Sequence, residues 1–313
     1  MNDRTTYDGN RRLVLRSALG LLGGAYLAVG RAGAEQDVPI SRTIPSSGQQ
    51  IPIVGLGTWI TFNVGSDREL IRRRTEVLRT FLSLGGGVVD SSPMYGSSEA
   101  VLGQCLDHIG RPQPTLFSAT KVWTGSSDEG KDQIAASQRL WGLQRFDVFQ
   151  VHNLLGWRKH VPHLLELKQA GQLGHVGVTT SHGRRHDELE QIIRTQPIDF
   201  VQLTYNMLDR EAERRLLPLA RDKGLAVIIN RPYRRKALIR QFEGTPLPPW
   251  AKEIEAHSWA QFLLKFVLSH PAVTCAIPAT TRVDHLRENM AAGRGPLPDA
   301  ATRRAMVDYI RRL

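Results

Sequence analysis

Cysteine is nearly absent from this chain: Cys105 and Cys275 are the only two among 313 residues. Cys105 shares an apolar helical face with Val101, Leu102 and Leu106, and Cys275 lies inside an apolar run. Both read as core, and no disulfide framework is inferred. Long apolar runs are missing too. The uncharged stretch at 17–29 has 13 residues, interrupted by Gly20, Gly23 and Gly24. As a helix it spans about 20 Å, short of the ~30 Å of a hydrocarbon core. Acids are fewer than bases, 30 against 41. The bases are scattered, however, as in Arg72-Arg73-Arg74, Arg184-Arg185 and Arg303-Arg304, which is the pattern of solvated helix faces. No basic stripe interleaved with aromatics is present, so nucleic-acid binding is not expected. The chain also lacks an additional domain, a linker and a low-complexity tract.

What is present begins with a leader. Asn10-Arg11-Arg12-Leu13-Val14-Leu15-Arg16 reads as a twin-arginine n-region, 17–29 as its apolar region, and Ala32-Gly33-Ala34 as a small-x-small cleavage site. The expected division is a signal peptide over 1–34 and one domain over 35–313. The expected location is the periplasm, with the twin-arginine export machinery as a partner and no stable membrane insertion after cleavage. No cysteine follows the cleavage site directly, which argues against a lipoprotein. The remainder is close to the ~250 residues of one eight-fold α/β barrel.

Short apolar runs alternate with amphipathic stretches. Strands are expected at 51–56, 88–90, 116–121, 147–152, 175–179, 200–205, 226–230 and 274–278. Helices between them are centred near Ile134, Leu164, Leu189 and Leu216, and one runs through Leu70, Ile71, Arg74, Leu78, Phe81 and Leu82 at helical spacing. Eight strands, each followed by a helix, imply an eight-stranded parallel (β/α)8 TIM barrel. Before the first strand, 41–44 and 46–49 read as a β-hairpin forming the barrel floor. Two insertions are expected on the functional side, at 125–130 and 233–250.

Four residues carry the chemistry. Asp90, Lys121 and His152 each close an expected strand, and Tyr95 lies on the loop leaving the Asp90 strand. None of these types is cheap to bury at a strand end for packing alone. Together they can move a proton. Carbonyl reduction needs an acid beside the carbonyl oxygen, but a free phenol titrates near ~10, too high for efficient acid catalysis. The expected roles are Tyr95 as general acid, Lys121 as the charge that lowers its pKa, Asp90 as the orienter of Lys121, and His152 as a donor to the developing alkoxide. His160, His163 and Glu166 share a helical spacing but find no further ligand, and no metal site is expected.

Several separated motifs in order resemble the aldo-keto reductases over about 51–290. They are Gly55-Leu56-Gly57-Thr58-Trp59, Asp90-Ser91-Ser92-Pro93-Met94-Tyr95-Gly96, Thr120-Lys121, Val151-His152-Asn153 and the region around Asn289. The resemblance makes Asp90, Tyr95, Lys121 and His152 the catalytic tetrad and implies a nicotinamide cofactor, NADP(H) rather than NAD(H). It places Gly57 and Thr58 at the cofactor. Thr179 and Thr180 replace the pair that holds the nicotinamide carboxamide, and Gln202 matches its third partner. Thr281, Arg282 and His285 fall near the adenosine phosphate, with Thr280 beside them, and Asn289 falls on the adenine. Thr281 and Asp284 read as a capping box opening the last cofactor-side helix. Asn230 stands where the family commonly stacks an aromatic on the nicotinamide, followed by Arg231 in a basic loop suited to pyrophosphate.

An apolar, aromatic substrate pocket is expected from Trp59, Trp123 and Tyr233, with Phe62, Trp157 and Trp250 as further aromatics. The implied activity is NAD(P)H-dependent reduction of an aldehyde or ketone to an alcohol, with a small carbonyl compound as substrate. The alternative is a nucleotide-binding redox sensor or partner-binding barrel with slow or vestigial chemistry.

Overall fold

A computed structural model describes residues 38–313; the expected leader over 1–34 lies outside the described residues. The described chain opens with an antiparallel hairpin, β1 (Ser41–Thr43) and β2 (Gln50–Pro52). Eight parallel strands follow: β3 (Leu56–Gly57), β4 (Val88–Asp90), β5 (Phe117–Val122), β6 (Phe146–Val151), β7 (Leu173–Thr179), β8 (Phe200–Thr204), β9 (Ala226–Asn230) and β10 (Cys275–Ala276). Around them lie α1 (Arg68–Ser83), α2 (Ser98–Ile109), α3 (Ser127–Trp141), α4 (Trp157–Gln169), α5 (His186–Thr195), α6 (Leu216–Asp222), α7 (Ala237–Gln241), α8 (Trp259–Leu268), α9 (Val283–Ala291) and α10 (Ala300–Arg311). Each strand pairs with the next in sequence. The ring closes between the first and last strands: Val54 bridges Ala276, Gly55 N donates to Ala276 O (2.8 Å), and Gly57 N donates to Pro278 O (3.1 Å). This is the expected barrel.

The expected run at 51–56 is divided. Ile51 belongs to β2 of the floor hairpin, and the barrel strand starts after it. The hairpin is also wider than expected, with its turn at 44–49. It does plug the floor: Ile44 and Ile51 are buried in one apolar cluster with Val88, Phe117, Ala119, Val148, Phe200, Ala226, Ile228, Cys275 and Ile277. Those strand positions recur at period two, so they are the inward-facing side chains. Their alternates, such as Val89, Phe149, Val176, Val201 and Ile229, pack outward against the helices. Arg42 fastens the hairpin from outside, donating to the carbonyls of Leu268 (2.7 Å), His270 (2.9 Å) and Val273.

The expected insertion at 125–130 is mostly helix. Ser126 caps α3 by accepting from Glu129 N, and Gly130 sits inside that helix because a Cβ there would press on His160. The expected insertion after β9 is present; it holds α7 and the short turn Pro249–Ile254. Outside the barrel, the buried Glu99 of α2 accepts from Thr120 (2.6 Å), Ser137 (3.0 Å) and Trp141 (3.0 Å), binding α2 to β5 and α3. No helix among the described residues is long and apolar enough to cross a membrane.

Candidate active site at the barrel mouth

The inward row that is apolar at the floor turns polar at its C-terminal end. Continuing two residues at a time, Val88 leads to Asp90, Ala119 to Lys121, Val148 to Gln150, Phe200 to Gln202, and Ile228 to Asn230. Lys121 and Asp90 are therefore core side chains, 0% and 1% exposed, at the top of the barrel. Lys121 Nζ donates to Asp90 Oδ2 (2.6 Å) and to the Ser91 carbonyl (2.7 Å). Gln202 (2.9 Å) and Gln150 (3.3 Å) both donate to Asp90 Oδ1. The carboxylate is thus gripped on both oxygens. Burial lowers the Lys121 pKa, and Asp90 works against that fall.

Tyr95 and His152 lie above this pair. Their rings meet edge to face with centroids 5.5 Å apart, and Lys121 Nζ is 5.2 Å from the Tyr95 centroid. Tyr95 ends the short turn Pro93–Tyr95, which Ser92 caps by accepting from Met94 N (3.2 Å). All four expected residues are thus brought together. The expected tuning is not found. Burial, then the Asp90 carboxylate, push the Tyr95 phenol well above its usual range. Lys121 Nζ is hydrogen-bonded to Asp90 and the Ser91 carbonyl. Tyr95 is a protonated donor throughout the neutral range. Burial and the nearby Lys121 charge hold His152 well below the usual imidazole range, so it is neutral.

The loops around this mouth are strained. Eight of the nine non-glycine residues with positive φ among the described residues lie on connections leaving C-terminal strand ends; the ninth, Glu255, ends the short turn before α8. They include Ile60 after Trp59, Asn153 and Leu154 directly after His152, and Arg231, Arg234 and Arg235 after β9. A β-branched residue such as Ile60 pays most for this conformation, and such strain gathers at functional sites.

The expected cofactor residues divide into two groups. Thr180 Oγ1 and Arg231 Nη1 are buried with no partner among the described residues. They lie on the rim loops after β7 and β9, with Arg184, Arg234 and Arg235 close enough to depress the Arg231 pKa further after burial. Unmet polar atoms on a cationic rim suit a ligand bearing amide and phosphate groups, and the residues present fit a nicotinamide dinucleotide. Thr280 is buried and accepts from Arg282 N (3.2 Å), while Thr281, Arg282 and His285 are exposed at the start of α9.

Other expected contacts are already engaged. Thr58 is buried, its hydroxyl donating to the Asp90 carbonyl (3.0 Å) and pairing with Ser91 (2.8 Å). Gly57 serves barrel closure, since a Cβ there would lie 2.8 Å from the Ile277 carbonyl oxygen. Thr179 accepts from Asn153 N (3.0 Å), and Gln202 is turned to Asp90. Asn230 ties two strand ends, accepting from Thr204 (2.6 Å) and donating to the Thr180 carbonyl (2.8 Å). Asn289 accepts from the Tyr233 hydroxyl (2.7 Å). The expected capping box is absent: Arg282 precedes α9 without a side-chain cap, because Asp284 is drawn to Arg282 and to His285 N.

The substrate aromatics also divide. Trp123 is on the rim, 41% exposed, its backbone clamped by Gln133 from α3 on both its N–H and its carbonyl. Trp59 is half-buried beneath the Arg235 guanidinium, 4.4 Å from its ring centroid. Tyr233 does not line the mouth. It is buried with its hydroxyl against Ala260 of α8 and Asn289 of α9, because the positive-φ turn at Arg231 sends the next residues outward. Phe62 is core, Trp157 binds Glu188, and Trp250 packs on Phe262. Sequence reasoning missed Gln150 and Ser92. Each stands two residues from a catalytic position, so the same period-two alternation could have found both.

A closed parallel barrel with a phenol and a neutral imidazole on its C-terminal rim is an enzyme of the (β/α)8-barrel class. Residues 53–305 match the Aldo/keto reductase family. The chain belongs to that family, and it is an NAD(P)H-dependent oxidoreductase. It is 28% identical to methylglyoxal reductase YeaE of Escherichia coli (strain K12), over 77% of this chain and 85% of that one. It is 24% identical to the NADH-specific methylglyoxal reductase of the same organism, over 68% and 73%. Among solved structures it is similar to an aldo-keto reductase of Klebsiella pneumoniae in complex with NADPH. There the TM-score is 0.72 at 22% identity, over 87% of this chain and 95% of that one.

Proposed function

We propose that this protein reduces a small aldehyde or ketone to the alcohol with NADPH, and that Tyr95 gives the proton. The observation that carries the reading is the meeting of Tyr95 and His152 over the buried Lys121–Asp90 pair. The bound nicotinamide supplies the hydride. Thr180 and Arg231, with their unmet polar atoms, are the residues best placed to hold the cofactor. His152 is neutral and donates one hydrogen bond to the carbonyl oxygen, raising its electrophilicity. Tyr95 passes its proton to that oxygen as charge develops there. Lys121 and Asp90 fix the floor beneath both donors. Trp59 and Trp123 wall the pocket and exclude water from the reacting oxygen.

The methylglyoxal reductases among its relatives support a small, reactive carbonyl as substrate. The NADPH-bound Klebsiella structure supports NADP(H); the NADH-specific relative points the other way. The twin-arginine pattern at Arg11-Arg12 and the Ala32-Gly33-Ala34 site support export to the periplasm.

The test is titration of the purified chain with NADPH and NADH by fluorescence, followed by turnover of methylglyoxal and other aldehydes and ketones. NADPH binding with turnover is expected, and Tyr95→Phe is expected to lower kcat by about 10²-fold or more. Nucleotide binding without turnover would replace the reductase with a nucleotide sensor. Full activity in Tyr95→Phe would remove Tyr95 from the acid role. Fractionation of the native host checks the location, and a cytoplasmic protein retaining residues 1–34 would refute export.

A further inference from the structure

We propose that Ser92 is a positioning residue that sets which nitrogen of His152 carries the proton. The proposal rests on the reductase reading only for its kinetic consequence. Ser92 is fully buried, and its Oγ lies 2.8 Å from His152 Nδ1. The same oxygen already accepts from Met94 N (3.2 Å). A serine hydroxyl has one hydrogen to give, and Nδ1 is the one acceptor it meets among the described residues. Were Nδ1 protonated, it would donate to Oγ, and the Ser92 hydrogen would be left buried without an acceptor. The arrangement that satisfies every group has Ser92 donating to Nδ1. Neutral His152 then carries its single hydrogen on Nε2.

That choice decides whether His152 can work. A neutral imidazole has one N–H, and a donor to substrate must present it on the nitrogen facing the mouth. Nε2 has no protein partner among the described residues, and the ring edge meets Tyr95. Ser92 also governs Tyr95. Its carbonyl accepts from Tyr95 N (2.9 Å), closing the turn that carries the phenol. One buried residue thus holds the backbone of the proton donor and the tautomer of the hydrogen-bond donor.

The experiment is ¹⁵N NMR of the histidine ring nitrogens in the full chain with NADPH, with His152 assigned by loss of its signals in His152→Gln. The wild type is expected to show protonated Nε2 and bare Nδ1. Ser92→Ala is expected to populate the other tautomer and to lower kcat about tenfold, while the KM for NADPH stays unchanged. Ser92→Thr, which keeps the hydroxyl and the cap, is expected to restore both the spectrum and the rate. A wild-type spectrum with protonated Nδ1 would overturn the proposal. So would a Ser92→Ala protein with unaltered spectrum and rate. If wild type turns over no carbonyl compound, the reductase reading falls, while the wild-type spectrum still decides the role of Ser92.

Discussion

Lys121 and Asp90 occupy positions that an ordinary barrel would fill with valine or leucine, and their charges are bearable only together. Removing one partner leaves the other buried and unpaired, which costs about 3–5 kcal/mol. Asp90→Ala is therefore expected to destabilise the fold by that amount as well as to abolish turnover. Urea unfolding at neutral pH checks it; an unchanged midpoint would mean that water reaches Lys121 in solution. Asp90 has two further donors, Gln150 and Gln202, so its loss also orphans two amides. Gln202→Leu, by contrast, leaves Asp90 paired with Lys121. It is expected to cost only about 1 kcal/mol, read from the same unfolding curves.

Among the elements, the floor hairpin is held by the burial of Ile44 and Ile51 and, from outside, by one arginine. Arg42 caps the carbonyls at the end of α8, a place where a cation is favoured by the exposed C=O groups. Arg42→Met is expected to lower stability by about 1.5–3 kcal/mol, measured by thermal unfolding. Activity at room temperature should be unaffected, because the hairpin lies at the opposite end of the barrel from Tyr95.

The strands that frame the mouth were legible because buried parallel strands are short apolar runs, and the catalytic residues interrupt them at one end. Asp90, Lys121 and His152 could be read for that reason. The division of 51–56 was not legible: hairpin and barrel strand are contiguous and equally apolar, and only pairing separates them. Gly130 disguised the start of α3, although Ser126 and Glu129 already spelled its cap. Tyr233 was misplaced, and the protein partners of Asn289 and Gln202 were not legible, for a different cause. Their type suits a ligand, but the direction of each side chain is set by a partner distant in the chain.

At the scale of the whole molecule, acidity acts through the buried His152 and the half-buried His270. The fold holds His152 and His270 neutral, both chiefly by burial, with His270 brought down to about 4. His270 Nδ1 also accepts from Ala272 N (3.2 Å), which protonation would forbid. In the unfolded chain a histidine titrates near ~6.5. Both folded values are depressed, so the unfolded chain binds more protons below that pH. The contribution of His270 is complete above about 6.5 and is lost as the pH falls towards about 4, and that of His152 is lost in the same direction. His270 is only half-buried, and solvent screening discounts the expected loss through it to about 1–2 kcal/mol. Urea midpoints at pH 7 and pH 5 measure the effect, and His270→Asn should flatten the dependence.

The two cysteines acquire a use from where the fold puts them. Burial raises the Cys105 thiol to about 11 and the Cys275 thiol further still. Neither presents a thiolate at neutral pH, and neither is reached by solvent while the chain is folded. Cys275 sits inside the barrel and Cys105 in the helical jacket outside it. Reagent can modify them only when their layer opens. The unaltered protein therefore carries two clocks, one for each layer. If the jacket loosens before the barrel, Cys105 will label first with a disulfide reagent in moderate urea. If the molecule opens as one unit, the two thiols will keep the same time.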